Sequence, residues 1–200
     1  MEQSSTALQL ENSYDFNHLK GDLVNIWPFV HGHFARDLPY QIWSAMEKED
    51  AIKLVFYENK QQTTPVSTNA DLAYFTKFFS DPDKILLLVT STDGEDLAGL
   101  IWFDNVIPYY RANCSYWFKR KYWGNPVREA CYRGMDYCFN FLGFQALWGF
   151  TPWRTSLKTT NSLGWSLVAT LPKYTLSFGK ERDLYVSMMK RENYKYGWRQ

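Results

Sequence analysis

The feature that most constrains the fold of this chain is a change of hydrophobic period between residues 113 and 142. The segment NCSYWFK at 113–119 has the composition of a strand. Beyond it, apolar side chains recur at the spacing of one helix face, and Asn125, Pro126 and Gly143 suit the N-cap, the first helical position and the residue after the end. The apolar positions are Val127, Ala130, Cys131, Gly134, Met135, Cys138, Phe139 and Leu142. The sequence therefore predicts a strand followed by an amphipathic helix of about four turns.

Further strand signals lie on both sides of this helix. The runs ILLLVT at 85–90 and LAGLIWF at 97–103 flank an Asp-Gly turn, which is typical of an antiparallel hairpin. Later elements are predicted as a strand at 144–150, a short helix at 154–163 ended by Gly164, a strand within LVATLPKYTLSF, and a strand at 183–190. This order indicates a mixed α/β fold with a central, mostly antiparallel, twisted sheet of about six or seven strands flanked by helices.

The first half of the chain carries weaker signals. We expect one or two short helices within residues 34–51, broken at Pro39, a strand at 53–57, and a polar loop at 58–71. Asp71 suits the N-cap of a helix that runs through Phe79. With no internal linker, the 200 residues fit one domain, whose first dozen residues are polar and loosely held.

Charge and hydropathy exclude several classes of protein. The chain has 22 basic and 21 acidic residues, which argues against a protein that binds nucleic acid through bulk charge. Any anion site must come from local clustering. No apolar run reaches the roughly 18 residues of a membrane span, and the N-terminus lacks the pattern of a signal peptide. We expect a cytoplasmic protein without a membrane segment.

Cysteine, histidine and aromatic residues complete the inventory. Cys131 and Cys138 are seven residues apart on the predicted helix, about 10 Å along its axis, so they cannot form a disulfide, and reduced buried thiols are expected. His31 and His33, even with Asp37, lack enough partners for a metal site, and no metal is expected. Aromatic residues make up 18% of the chain; beyond a core, this excess fits a groove, a protein partner or a homodimer surface.

Several short motifs follow one another in a recognisable order. They are Tyr116-Trp117-Phe118 at a strand end, Tyr122-Trp123-Gly124 in a loop, Glu129-Ala130 and Asp136-Tyr137 in the helix, Leu142-Gly143-Phe144 after it, and Ser156, Lys158 and Leu163-Gly164-Trp165 farther on. In this order they resemble the GNAT superfamily of acetyl-CoA-dependent N-acetyltransferases, particularly its ribosomal-protein (RimJ/RimL-like) branch. The resemblance covers roughly residues 85–190 and implies one GNAT-like acyltransferase domain.

The resemblance implies a site for acetyl-CoA, used as co-substrate. The pantetheine arm would lie against the strand that carries Trp117 and Phe118, and the pyrophosphate would lie at the helix N-terminus, where unpaired N–H groups favour an anion. The loop and second helix would contribute Lys119, Lys121, Trp123, Gly124, Asn125, Val127, Arg128, Ser156 and Lys158. Arg120 and Arg133 extend this basic cluster, which would otherwise be an ordinary solvated face. The acceptor implied is a protein N-terminus or another primary amine.

Acetyl transfer requires a base for the amine and an acid for the thiolate that leaves. Asp104 is the candidate base, and Tyr116 and Tyr174 are candidate acids, with Tyr185 as a further one. Many members of the family carry a tyrosine acid on the second helix, at the position that Thr160 occupies here.

Departures from the family pattern support a second hypothesis of another class. Pro126 stands where the family has a second glycine, the loop is one residue shorter, and Thr160 replaces the tyrosine. A catalytically inactive GNAT-like protein that serves interaction or assembly, for example in a virus, fits these departures. A third hypothesis, an enzyme that modifies a nucleic-acid base, is disfavoured by the neutral charge.

Overall fold

The computed structural model describes residues 19–29, 37–52, 58–59, 72–177 and 179–195. The strands are β1 (Val24–Pro28), β2 (Glu58–Asn59), β3 (Ile85–Ser91), β4 (Leu97–Ile107), β5 (Arg111–Phe118), β6 (Ala146–Thr151), β7 (Ser166–Ser177) and β8 (Lys180–Lys190). The helices are α1 (Leu38–Lys48), α2 (Leu72–Ser80), α3 (Asn125–Asp136) and α4 (Arg154–Ser162). None of the helices in these ranges is long and apolar enough to cross a membrane.

All strands join one sheet in the order β1-β3-β4-β5-β6-β8-β7-β2. Every neighbouring pair is antiparallel except β5 and β6, which are parallel. Because β2 has only two residues, the described part of the chain contributes seven main strands to the sheet. The predicted mixed α/β class, with a mostly antiparallel sheet flanked by helices, is confirmed.

Helices cover both faces of the sheet. On the first face, called the α3 face, Leu87 and Val89 of β3 pack in a core with Ala130 and Met135 of α3. On the opposite face, called the α1–α2 face, Leu86 and Leu88 pack with residues of α1 and α2, such as Met46 and Phe75. Burial on both faces explains why β3 reads as an unbroken apolar run rather than an alternating one.

Several predicted boundaries need correction. The N-cap of α3 is Gly124 rather than Asn125, so Asn125 is the first helical residue and Pro126 the second. The α-helix ends at Asp136 and continues as a π-helical turn, Tyr137–Phe141. Pro39 does not break a helix but lies in the first turn of α1. Strand β1 was not predicted at all.

Other predictions fall partly outside the described residues. These are the strand at 53–57, most of the loop at 58–71 apart from the short strand β2, the capping role of Asp71, the first dozen residues, and His31 and His33. The thiols of Cys114, Cys131 and Cys138 are free, as predicted.

The buried carboxylate of Glu129 ties α3 to the start of β1. Its side chain is fully buried, and its two oxygens accept backbone N–H groups from Asp22, Leu23 and Val24 at 2.8, 2.8 and 3.3 Å. The guanidinium of Arg133, one turn later on α3, donates to Oε1 from Nε and Nη2 at 3.1 and 2.9 Å. A buried charge is tolerated only with such partners, so this carboxylate fixes the chain entering β1 against the helix.

Replacement of this carboxylate should destabilise the protein. In Glu129→Gln, an NH2 group would face the N–H donors and the Arg133 charge would lose its partner, so we expect the free energy of unfolding to fall by about 3 kcal/mol. Urea denaturation measures the change, with Glu47→Gln on the exposed side of α1 as the control, expected to stay within about 0.5 kcal/mol of wild type. Equal effects of the two substitutions would contradict the proposed role of Glu129.

Candidate active site

The parallel strands β5 and β6 separate after a short paired region. Only three residue pairs join them, from Arg111 with Ala146 to Asn113 with Trp148, although β5 has eight residues and β6 has six. Residues 114–118 and 149–151 therefore border a gap in the sheet. The gap widens toward the end of β5 that leads into α3.

Backbone groups of β5 face this gap. The N–H of Lys119 donates to the carbonyl of Ala98 at 2.9 Å. Lys119 and Ala98 are therefore a hydrogen-bonded pair of the antiparallel β4–β5 ladder. Because such pairs alternate, Cys114, Tyr116 and Phe118 direct their own N–H and C=O groups away from β4 and toward the gap. The indole N–H of Trp123 donates to the Phe118 carbonyl at 3.0 Å. The backbone of Cys114 and Tyr116 remains available to a ligand between the strands.

The N-terminus of α3 lies beyond the wide end of the gap. Gly124 has a φ of 96°, a left-handed value that favours glycine, and an added Cβ would meet nothing within 4 Å. The first turn closes with the N–H of Arg128 donating to the Gly124 carbonyl at 3.1 Å, so Asn125 and Val127 keep N–H groups that have no acceptor within the helix. Pro126 contributes none. The open space at Gly124 lets an anion approach these donors.

The basic cluster around this helix start is largely paired with carboxylates. Lys119 and Lys121 both bind Asp96, at 2.8 and 2.5 Å, and the Tyr122 hydroxyl donates to the same carboxylate at 2.8 Å. Burial acts to raise the pKa of Asp96, but the hydrogen bonds from the two lysines and the tyrosine outweigh it and hold that pKa far below its usual range.

The arginines of the cluster differ in their pairing. The backbone N–H of Arg120 donates to the Glu49 carboxylate at 3.1 Å, and Arg133 binds the buried Glu129. Arg128 is exposed and forms no ion pair in the described part of the chain. Of the predicted cluster, Arg128 is thus the cation most available to a phosphate.

A small apolar cavity lies behind the gap on the α3 face, between β5, α3 and α4. Its volume is about 30 Å³, room for little more than one water molecule. Residues that line it include Cys114, Tyr116, Cys131, Gly149, Thr160 and Trp165. Thr159 of α4 lies near enough to the Tyr116 hydroxyl to act on its pKa. A ligand as long as a pantetheine arm must displace side chains here or lie along the open edge of β5.

Burial keeps the acids that line this cavity protonated. It raises the pKa of the Cys131 thiol to about 12 and lifts that of Cys114 well above its ordinary value. Burial, together with the nearby Cys131 and Cys114, also raises the pKa of Tyr116. At neutral pH the Tyr116 hydroxyl therefore retains its proton, and the raised pKa makes it a weaker acid than an ordinary tyrosine.

Asp104 lies on the opposite face of the sheet from Tyr116. Along β4 it follows Leu100 and Trp102, which pack on the α1–α2 face, and it pairs with Asn113 in the last row before the gap opens. Burial raises the pKa of Asp104, while a hydrogen bond from Asn113 and the charge of Lys84 oppose this shift. The carboxylate and the tyrosine thus flank the narrow end of the gap from its two sides.

The remaining predicted residues lie at different distances from the gap. Ser156 is partly buried and Lys158 exposed on α4, which follows β6 directly; Trp117 points into the α1–α2 core. Tyr174 lies on β7, with β6 and β8 between it and β5. The hydroxyl of Tyr185 on β8 accepts a hydrogen bond from Arg154 at 3.0 Å. Asp104 and Tyr116 thus lie on neighbouring strands but on opposite faces of the sheet, and Tyr174 lies three strands away from β5.

Sequence reasoning did not find Asp96 or Thr159. Asp96 belongs to a turn whose Asp-Gly pair explains its polar composition without any site, and Thr159 belongs to a polar helix. No spacing rule links either residue to β5. Among the residues that the structure describes, no group of three or more His, Cys, Asp or Glu could hold a metal ion.

Comparison with known proteins identifies the fold. No protein-family model matches the sequence, and no curated protein matches it. Among solved structures, the chain is similar to spermidine N-acetyltransferase from Vibrio cholerae in complex with CoA and spermine, with a TM-score of 0.67 and 14% identity over 86% of this chain and 97% of that one.

Two further structures agree. A GCN5-related N-acetyltransferase from Brucella melitensis gives a TM-score of 0.66 at 16% identity, over 88% of this chain and 79% of the other. Ribosomal-protein-S5-alanine acetyltransferase from Vibrio fischeri gives 0.62 at 16% identity, over 91% and 98%. The chain therefore has the fold of the GNAT acetyltransferases. Because the sequence identity is so low, the similarity shows the architecture alone.

The half-buried position of Asp104 predicts a pH-dependent effect of Asp104→Asn. Since the folded pKa is raised, the folded protein holds this proton more tightly than the unfolded chain, and the resulting stability is lost as the pH rises from the ordinary value of 3.8 through the folded pKa. Asp104→Asn should therefore be more stable than wild type at pH 7, with a difference that shrinks toward pH 4. Urea denaturation at several pH values measures this. A difference that instead grows at low pH, or that the exposed control Asp83→Asn reproduces, would contradict it.

Proposed function

We propose that this protein is an acetyl-CoA-dependent N-acetyltransferase that acts on a primary amine and works as a single acyltransferase domain. The observation that carries the proposal is the separation of β5 and β6 after three residue pairs, beside the N-terminus of α3. This combination offers backbone hydrogen bonds for an extended arm and an anion site at one end. The neighbour from Vibrio cholerae was crystallised with CoA, which supports CoA as the ligand of this protein.

The donor would be held mainly by backbone groups. The amides of Gly124, Asn125 and Val127 face the pyrophosphate, and the Arg128 side chain supplies a charge beside them. The pantetheine arm bonds to Cys114 and Tyr116 along the edge of β5. Trp123 and Phe118 border the entrance, and Ser156 and Lys158 of α4 flank the adenosine side.

Acetyl-CoA supplies an activated acyl group, and the protein residues manage two protons. Asp104 removes a proton from the acceptor amine, directly or through one water, and its raised pKa makes it a stronger base than an exposed aspartate. Tyr116 donates a proton to the departing thiolate from the α3 face. It thus takes the role of the family's tyrosine acid, whose position Thr160 occupies here. The acceptor thus reaches the thioester from the α1–α2 face.

The acceptor is a primary amine, and we favour a protein N-terminus. Of the two similar structures from Vibrio, one is named for a polyamine substrate and the other for the alanine of a ribosomal protein. The fold alone therefore does not distinguish these acceptors. Asp104 attracts the ammonium form of either. A panel of N-terminal peptides, spermidine and free lysine, each with acetyl-CoA and mass-spectrometric detection of the product, separates these classes.

The alternative is a GNAT-fold protein that has lost catalysis and serves interaction or assembly. Three observations favour it: the paired lysines of the loop, the 30 Å³ cavity, and the exposure of Trp123, whose side chain is 65% accessible. Such a protein would bind neither acetyl-CoA nor CoA.

Donor binding separates the two functions. A ligand at one hundred times its dissociation constant stabilises the folded state by about 2.7 kcal/mol, so saturating acetyl-CoA should raise the melting temperature. Arg128→Glu should remove most of this shift because it reverses the charge beside the phosphates. Arg111→Glu, an equal change of charge at the far end of β5, is the matched control and should keep the shift. An unchanged melting temperature at millimolar acetyl-CoA would refute the proposed enzymatic function.

Catalytic substitutions test the chemistry after binding. Asp104→Asn and Tyr116→Phe should each lower kcat by about 10²-fold or more, the usual contribution of an acid or base, while the affinity for CoA changes little. Tyr174→Phe should cost far less than Tyr116→Phe. The reverse order of these two tyrosine variants would assign the acid to β7 and disprove the role given to Tyr116.

A further inference from the structure

The loop that leads into α3 carries an acidic partner of its own. Asp96, from the turn between β3 and β4, binds the ammonium groups of Lys119 and Lys121 and the hydroxyl of Tyr122. All three donors belong to the loop that connects β5 to α3. A single carboxylate thus gathers the side chains that the loop could otherwise turn toward a bound phosphate.

We propose that Asp96 is an internal counter-ion that occupies the two lysines and thereby sets which phosphates of the donor the site recognises. This inference rests on the proposed function, because it concerns the nucleotide end of the same site. It makes Asp96 a residue that determines affinity and specificity without taking part in the chemistry.

The charges around the helix start carry the argument. Lys119 and Lys121 are paired with Asp96 and Arg133 with Glu129, and the Arg120 guanidinium donates to the backbone carbonyl of Glu49 at 3.4 Å. Arg128 and the helix N-terminus are left for the ligand. A helix N-terminus and one arginine match a pyrophosphate. CoA carries one more phosphate, on the 3′ position of its ribose, and it would need an unpaired lysine. The wild-type protein should therefore bind CoA and dephospho-CoA with similar affinity.

The pairing is accessible enough to be reversed. The Lys121 side chain is 63% exposed and that of Asp96 is 33% exposed, so solvent and ligand both reach the contact. Exposed ion pairs contribute little to stability, so loss of the Asp96 charge should leave the fold intact. Asp96 also joins its turn through its backbone, with its N–H donating to Ser91 Oγ at 3.0 Å and its carbonyl accepting from Ser91 N at 2.8 Å. Asp96→Asn keeps these backbone bonds.

Asp96→Asn is the test, with Glu95→Gln as its matched control. Glu95 is exposed in the same turn and undergoes the same change of charge, but its side chain forms no hydrogen bond with the loop. Titration calorimetry measures the affinity of each protein for CoA, dephospho-CoA and pyrophosphate. Removal of a negative charge beside the phosphate site should tighten CoA binding about tenfold, with a smaller gain for dephospho-CoA. The control should behave like wild type.

Each other outcome has a definite meaning. Weaker CoA binding by Asp96→Asn would mean that Asp96 holds the loop in its binding conformation, and it would overturn the inference. An equal gain of affinity in Glu95→Gln would overturn it too. A wild-type protein that already prefers CoA to dephospho-CoA tenfold would also overturn it. If no protein binds CoA but Asp96→Asn gains affinity for pyrophosphate, the counter-ion stands and the proposed acetyl-CoA function fails.

A double variant tests whether the gain in affinity comes from the released Lys121. Lys121→Gln, added to Asp96→Asn, should cancel the gain in CoA affinity, because the gain comes from the released lysine. A gain that persists in the double variant would assign the effect to general charge and contradict the role of the pair. Circular dichroism of each variant verifies that the fold is retained.

Discussion

The early end of the pairing between β5 and β6 is the constraint on which the rest of the site depends. Parallel neighbours normally continue their hydrogen bonds for the length of the shorter strand, but here only three residue pairs form. Past Asn113 and Trp148, the side chains of Tyr116 and Trp165 and the last turn of α4 occupy the space behind the two strands. The gap leaves strand-edge groups of β5 exposed beside a helix N-terminus, and these two features together define the candidate site.

Buried or paired carboxylates position the elements around this gap. Glu129 fixes α3 to the chain entering β1, and Glu49 and Asp96 hold the loop that precedes α3. Glu129 and Asp96 are each satisfied by several donors, as an anion in or near a protein interior requires, whereas Glu49 accepts the Arg120 N–H. The same contacts neutralise most of the basic cluster. The ion pairs that hold the loop in place thus also leave it with little net positive charge. The site thus relies on backbone donors more than on lysines.

Sequence patterns predicted the fold much better than the details of the site. The β3–β4 hairpin, β5, α3, α4 and the last two strands follow from periodicity and turn residues, because these segments are long and buried on one or two faces. Strand β1 was missed because VNIWP is short and ends in proline. The gap could be expected only from the resemblance, since the length of pairing between two strands depends on tertiary packing. The roles of Asp96 and Thr159 require contacts between residues far apart in sequence, and Gly124 took the N-cap from Asn125 because only glycine adopts its φ readily.

The most direct test of the account is amide hydrogen exchange of β5 measured by NMR, without and with saturating CoA. The N–H groups of Ser115 and Trp117 bond to β4 and should exchange slowly in both states. Those of Cys114 and Tyr116 face the gap, and we expect CoA to slow their exchange by about tenfold or more as the pantetheine arm bonds to them. Unchanged exchange at Cys114 and Tyr116 under saturating CoA, or equally slow exchange of all four amides in the free protein, would contradict the claim that the gap between β5 and β6 is the donor site.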